Sequence, residues 1–251
     1  MILNVAAYAF CPLYDLPAVR LRLHEAAAAA QLRGTVLLAP EGINLFLAGA
    51  ERPLRDFVDA LTARVPGLSG LNMKFSWSRS PPFARLKVKL KREIIAFRQP
   101  GIDPRAGRAP AVDAHTARRW IANGCDDSGR RLVLVDTRNR EEVAYGSFRG
   151  ALTLPIDDFV DYPNAVAAQR AACAGATVVT FCTGGIRCEK AALWMREAGW
   201  ENVFQLDGGI LGYFEAVGGE GWEGRCFVFD QRIALDPTLQ PLQDAPDAEA
   251  L

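Results

Sequence analysis

The sequence predicts an α/β protein of two domains, and three observations carry that expectation. The hydrophobic pattern over the first part reads β-α-β-β-α-β, whereas beyond residue 111 strands alternate with helices as in a parallel sheet. A Pro/Gly-rich segment, "QPGIDPRAGRAP", separates the two patterns. The charge also divides: residues 1–100 carry 14 Lys+Arg against 7 Asp+Glu, and residues 101–251 carry 15 against 22. The expected boundaries are a basic domain at 1–98, a linker at 99–111, a second domain at 112–235 and a disordered acidic tail at 236–251.

In the first domain "ILNVAAYAF" is a strand by its apolar content. "PAVRLRLHEAAAAAQL" is an Ala/Leu-rich helix, with Pro17 suited to a first turn. "TVLLA" and "INLFLAG" are short strands joined by the turn "PEG". "RPLRDFVDALTARV" is a second helix, stopped by Pro66 and Gly67, and "LNMKFSW" is a fourth strand. That order is the ferredoxin-like (acylphosphatase-like) α+β arrangement, a small sheet with two helices on one face.

A further strand follows in "ARLKVKLKREIIAFR". Arg85, Lys87, Lys89 and Lys91 alternate with Leu86, Val88 and Leu90, so the charges share one face. Between Ser76 and Arg98 seven basic residues meet a single acid, Glu93. Like charges about 7 Å apart along a strand repel one another. Keeping them without acidic neighbours points to an anionic partner, and the sequence predicts nucleic-acid contact here.

In the second domain "RLVLVDTR", "TVVTFC" and "NVFQL" read as buried strands, with "GALTLP" a shorter one. "RCEKAALWMREAG" and "GGILGYFEAV" read as helices, and "FVDYPNAVAAQRAACAG" as partly helical.

Several function classes fall away. No apolar run reaches the 18 residues of a membrane span, and the start has no basic, signal-like pattern, so a cytoplasmic protein is expected. Six cysteines with two histidines, His24 and His115, and no Cys-x-x-Cys pair predict no metal site. Cys11, Cys125, Cys173 and Cys226 are expected to be structural, as are both histidines, Trp194 and Trp222.

The chemistry concentrates in "FCTGGIRCEKA". Cys182 falls at the C-terminal end of a strand, just before a helix, where ligands bind in open α/β sheets. Thr183, Gly184, Gly185 and Ile186 can curl so that successive N–H groups point inward as an anion nest. The positive end of the following helix and Arg187 add to that field. Such surroundings lower a cysteine pKa from about 8.5 to roughly 3.5–7.5. Cys182 is therefore the expected nucleophile, with Arg187 beside it. Cys188 has two readings: a resolving thiol for oxidised Cys182, or a small apolar residue in the first helical turn.

Cys182 to Arg187 spans C-x4-R, and "CTGGIR" is similar to the six-residue loop of rhodanese domains, one residue shorter than the C-x5-R of cysteine phosphatases. "VDTR", with Asp136 and Arg138, and "LDGGI" also match the rhodanese pattern. Together with "APEGIN" (Glu41, Asn44), "LKVKLKREI", "PGIDP" and "CFVFDQRIA", the chain resembles the rhodanese-type tRNA uridine hydroxylases up to about residue 235. The resemblance implies hydroxylation of a wobble uridine to 5-hydroxyuridine with molecular oxygen as co-substrate, and with no flavin or nicotinamide fingerprint in the sequence no other cofactor is expected. It also implies the tRNA anticodon region as partner, no obligate protein partner, and roles for Glu41, Asn44, Asp136 and Arg138. Longer members carry a cysteine-rich C-terminal extension, and this sequence, with its acidic tail, resembles a short form. Two alternatives fit the loop: a sulfurtransferase carrying a persulfide on Cys182, and a non-catalytic RNA-binding rhodanese module.

Overall fold

The structure, a computed structural model, describes residues 1–68 and 70–243. The chain forms two compact units: Met1–Ala96 with Phe229–Ile233 and the chain end from Gln240, and Phe97–Val228 with Ala234–Leu239. Residues 244–251 of the expected acidic tail lie outside the described residues.

The first unit runs β1 (Ile2–Phe10), α1 (Leu16–Ala29), β2 (Arg33–Ala39), β3 (Gly42–Gly49), α2 (Glu51–Asp59), α3 (Leu61–Arg64), β4 (Asn72–Ser78) and β5 (Leu86–Leu90). Asp15 caps α1 through its side chain, which accepts from the Ala18 N–H. Val19, Leu23 and Ala27, spaced by one helical turn, turn its apolar stripe inward. The expected single helix at 52–65 breaks at Ala60 into α2 and α3, and Leu54, Phe57, Val58, Leu61 and Val65 all join one core.

The sheet order is β4-β1-β3-β2-β5. The β1, β3, β2 and β4 pairings are antiparallel, and β5 adds parallel to β2. Period-two alternation divides the sheet faces. Leu3, Val5 and Ala7 of β1, Val36 and Leu38 of β2, and Ile43, Leu45 and Leu47 of β3 pack with the helices, joined by Leu86 and Val88 of β5. Lys87 and Lys89 therefore lie on the opposite face.

The second unit contains β6 (Ala111–Val112), α4 (Ala114–Asn123), β7 (Leu132–Asp136), α5 (Arg140–Val143), β8 (Gly146–Phe148), α6 (Tyr162–Ala167), β9 (Thr177–Phe181), α7 (Ile186–Glu197), β10 (Val203–Leu206), α8 (Gly209–Val217), β11 (Trp222–Gly224), β12 (Cys226–Phe227) and β13 (Ala234–Leu235). Its main sheet is β6-β10-β9-β7, parallel throughout. β9 at the centre is buried along its whole length, as a strand covered on both faces must be.

Two details depart from the sequence expectation. "GALTLP" makes no strand: Leu152 alone bridges to β7, its N–H donating to Leu134 O and its carbonyl accepting from Asp136 N–H. Pro155, three residues on, lacks the N–H that would extend a ladder. The end of the expected linker becomes structure, since Ala111 and Val112 pair with Gln205 and Leu206 as an edge strand. Arg108 ties the approach to that strand down through an ion pair of 2.7 Å with Glu189 of α7.

Candidate active site

The loop Cys182–Ile186 connects the central strand β9 to α7, and its shape follows from local constraints. Gly185 takes φ +95°, a conformation costly for a side-chain-bearing residue, and caps α7. Its N–H donates to Cys182 Sγ at 3.1 Å. The first turn of α8 holds the loop from behind: the N–H groups of Ile210 and Leu211 donate to the carbonyls of Cys182 and Thr183, at 2.9 and 3.0 Å. Gly209 permits this approach, because a Cβ there would stand 2.5 Å from Cys182 O and 2.6 Å from Gly185 N. The motif "LDGGI" is thus the backing of the thiol loop.

Cys182 is fully buried. Burial opposes its ionisation, but three attractions outweigh it: a hydrogen bond with the Cys188 thiol, the Arg187 charge, and the backbone N–H groups of Arg187 and Cys188. The result is a Cys182 pKa lowered to about 6. Cys188, in the first turn of α7 and equally buried, shifts the other way. Burial and the adjacent Cys182 sulfur push its thiol well above the ordinary value. The two sulfurs therefore share one negative charge on Cys182. Thr137 Oγ1 lies 4.0 Å from Cys188 Sγ and donates to Phe181 O at 3.1 Å, tying β7 to this corner.

Arg187 has a partner that the sequence reading did not name. Its two terminal nitrogens donate to the carboxylate of Glu142, at 2.5 and 2.7 Å, and both side chains are buried. Glu142 also accepts from Asn139 N–H at 3.2 Å and from Thr183 Oγ1 at 3.3 Å. Burial would raise its pKa, but the Arg187 guanidinium holds the carboxyl below its usual range. The Arg187 pKa is correspondingly raised, since Glu142 and Cys182 outweigh the cost of burial. Sequence reasoning missed Glu142. The available signal was Asn139 three residues before it, the spacing of a helix-start capping pair in "NREE".

Asp136 and Arg138 form a second buried pair in the same unit, with contacts of 2.8 and 2.6 Å. Ser147 Oγ donates to Asp136, and Arg138 donates to Gly146 O and lies 5.3 Å from the Trp222 ring centre. These contacts brace the end of β7 against the two-stranded antiparallel sheet of β8 and β11. Cys226 is fully buried as well, and desolvation pushes its thiol up to about 12, the opposite direction to Cys182.

The remaining candidates belong to the first unit. Glu41 Oε1 accepts from Ile94 N–H at 2.7 Å, and Asn44 Nδ2 donates to Ile94 O at 3.2 Å. Together they clamp the segment that leaves β5. Arg85, Lys89 and Lys91 are exposed, and Lys87 is half-buried. Trp222 is in the core, Trp194 is half-buried, and His24 and His115 are exposed. Among the described residues no helix is long and apolar enough to cross a membrane.

Residues 2–94 match the UPF0176 acylphosphatase like domain, and residues 115–216 match the rhodanese-like domain. The chain is 57% identical to a tRNA uridine(34) hydroxylase of Xanthomonas axonopodis pv. citri, over 98% of each chain. It is 58% identical to that of Xanthomonas euvesicatoria pv. vesicatoria, again over 98% of each. With the Xylella fastidiosa protein of the same name it shares 55% identity, over 97% of this chain and 95% of the relative. Identity at that level, over nearly the whole length of this chain and of each relative, means that the chain belongs to the tRNA uridine(34) hydroxylase family.

Proposed function

We propose that this chain hydroxylates C5 of uridine 34 in tRNA to 5-hydroxyuridine, with Cys182 as the nucleophile and molecular oxygen as co-substrate. The observation that carries this reading is the ionised, cradled Cys182 thiolate in a member of that family. The sulfur adds to C6 of the base, and the electron pair of the C5–C6 bond moves toward C5 and the C4 carbonyl. C5 is then the nucleophile toward an oxygen species. One oxygen atom of O2 enters the C5–H bond and the other leaves as water, so two electrons and two protons come from a reductant of the thiol class. Loss of the C5 proton to solvent then expels the Cys182 thiolate from C6 and restores the C5–C6 double bond, with hydroxyl in place of the hydrogen.

The Gly185, Arg187 and Cys188 N–H groups stabilise the thiolate before addition and after expulsion. Arg187, oriented by Glu142, contributes field rather than a free donor fork. Uridine 34 already sits in a loop, so presenting it costs less than opening a duplex. The reading places the enzyme in the cytoplasm, with the anticodon region as its RNA contact.

Nucleoside mass spectrometry of tRNA, from cells lacking this protein and complemented with wild type or Cys182→Ser, tests the proposal. The wild-type chain restores 5-hydroxyuridine and the variant does not; equal product from both overturns the role of Cys182.

A further inference from the structure

The helix-free face of the first sheet is not uniformly covered. Its residues fall into rows across the strands, because the register aligns Lys74 with Ala6, Ala6 with Phe46, Phe46 with Thr35, and Thr35 with Lys87. All five residues of this row are half-buried. The neighbouring rows are closed over on the inner strands β1 and β3, while their β2 and β5 ends carry the exposed Arg33 and Lys89. On one side Asn4 is 2% exposed and Ala48 0%, and the returning segment crosses there, with Arg232 Nη1 donating to Ser76 Oγ at 2.7 Å. On the other side Tyr8 is 7% exposed and Asn44 6%, where the chain leaving β5 is clamped at Ile94.

The open row is therefore a trough between two covering segments. It crosses five strands, a length of about 19 Å at the usual strand spacing. Phe46 lies at its middle, on the central strand β3, flanked by the small side chains of Ala6 and Thr35. A lysine stands at each end. At the β5 end Lys87 is joined by Lys89 on the same strand face, and by Arg33 at the start of β2. These three cations make no ion pair among the described residues.

An aromatic ring in the floor and the cations Lys87, Lys89 and Arg33 at the β5 end suit one chemistry. Bases stack on an aromatic face on an open sheet, while phosphates settle on the cations. A single-stranded polyanion with π-faces matches that combination. A duplex hides its base faces, and an acidic peptide leaves the ring unused.

We propose that this trough binds single-stranded RNA of the anticodon loop, with a base on Phe46 and backbone phosphates on Lys87, Lys89 and Arg33. The proposal rests on tRNA being the substrate and adds where the RNA lies. In it the lysine stripe is one rim of a site whose floor is Phe46.

The test is fluorescence anisotropy of a labelled anticodon stem-loop RNA with the full chain, across a salt series. Phe46→Leu keeps an apolar side chain in the row and should weaken binding about tenfold, with an unchanged salt slope. Lys87→Ala with Lys89→Ala should also weaken binding and reduce the slope of log K against log salt by about 1.4. Thermal melting of each variant confirms that it is folded. Phe46→Leu and the double lysine variant both binding within twofold of wild type would overturn the proposal. So would a fully base-paired hairpin that competes as well as the loop RNA. Failure of the hydroxylase reading registers separately, as wild-type protein that binds the RNA and yields no 5-hydroxyuridine.

Discussion

Glu142 and Arg187 meet as a buried bidentate ion pair across 45 residues of sequence, with contacts of 2.5 and 2.7 Å. The pair joins the short helix after β7 to the helix that carries the thiol loop. It fixes the guanidinium beside Cys182 while Glu142 balances part of its charge. Removing one partner strands the other charge in the interior. Glu142→Ala should therefore lower unfolding stability by about 3–5 kcal/mol, measured by urea denaturation. Glu142→Gln should lose less, because an amide still hydrogen-bonds the fork.

The rate of Cys182 alkylation by iodoacetamide should follow its ionisation. With a pKa of about 6 the rate should be level above about pH 7 and fall about tenfold per pH unit well below 6. The sign of the stability effect follows from the same shift. The folded pKa lies below the ordinary thiol value of 9.0, so the contribution is present in full above 9 and lost as pH falls to about 6. A wild-type labelling profile with its midpoint above pH 8 would contradict the nest.

Cys188 shares a hydrogen bond with Cys182 and remains a thiol at neutral pH. Cys188→Ala should move the Cys182 labelling midpoint upward. Cys188→Ser keeps a donor in the same place and should stay nearer the wild-type midpoint. Equal midpoints for the two variants would assign Cys188 to packing alone.

Gly209 and Gly184 make a contrasting pair. Gly209 has φ +61° and touches the loop backbone, so Gly209→Ala should destabilise by at least 1–3 kcal/mol, roughly the cost of its backbone conformation alone, and slow Cys182 labelling. A Cβ on Gly184 meets nothing within 4 Å, so Gly184→Ala should leave the melting temperature within a few degrees of wild type. Melting curves and labelling rates of the two variants decide this.

Much of the architecture was legible because its signals are local. The period-two lysine stripe, the apolar run "TVVTF" and the Ala-rich helix opened by Pro17 each state their own geometry within a short stretch. The thiol loop was legible for the same reason, since Cys182, the glycine pair, Arg187 and Cys188 lie within seven residues. The edge strand at Ala111 and Val112 was hidden in a Pro/Gly-rich stretch, too short to show any period, and it exists because β10 offers it a ladder. "GALTLP" failed in the opposite sense: its composition suits a strand, but one bridge at Leu152 is all the sheet takes.

The linear chain alone determined two α/β units, one basic and one bearing a nucleophilic cysteine, because periodicity, turn residues and charge spacing are nearest-neighbour properties. Only folding decided that Arg187 answers to Glu142, that Gly209 backs the Cys182 loop, and that Phe46 lies in a trough with lysines at its ends. Those are contacts between residues far apart in sequence, whose side chains carry no mark of their partners until strand register and helix packing bring them within hydrogen-bonding or van der Waals reach.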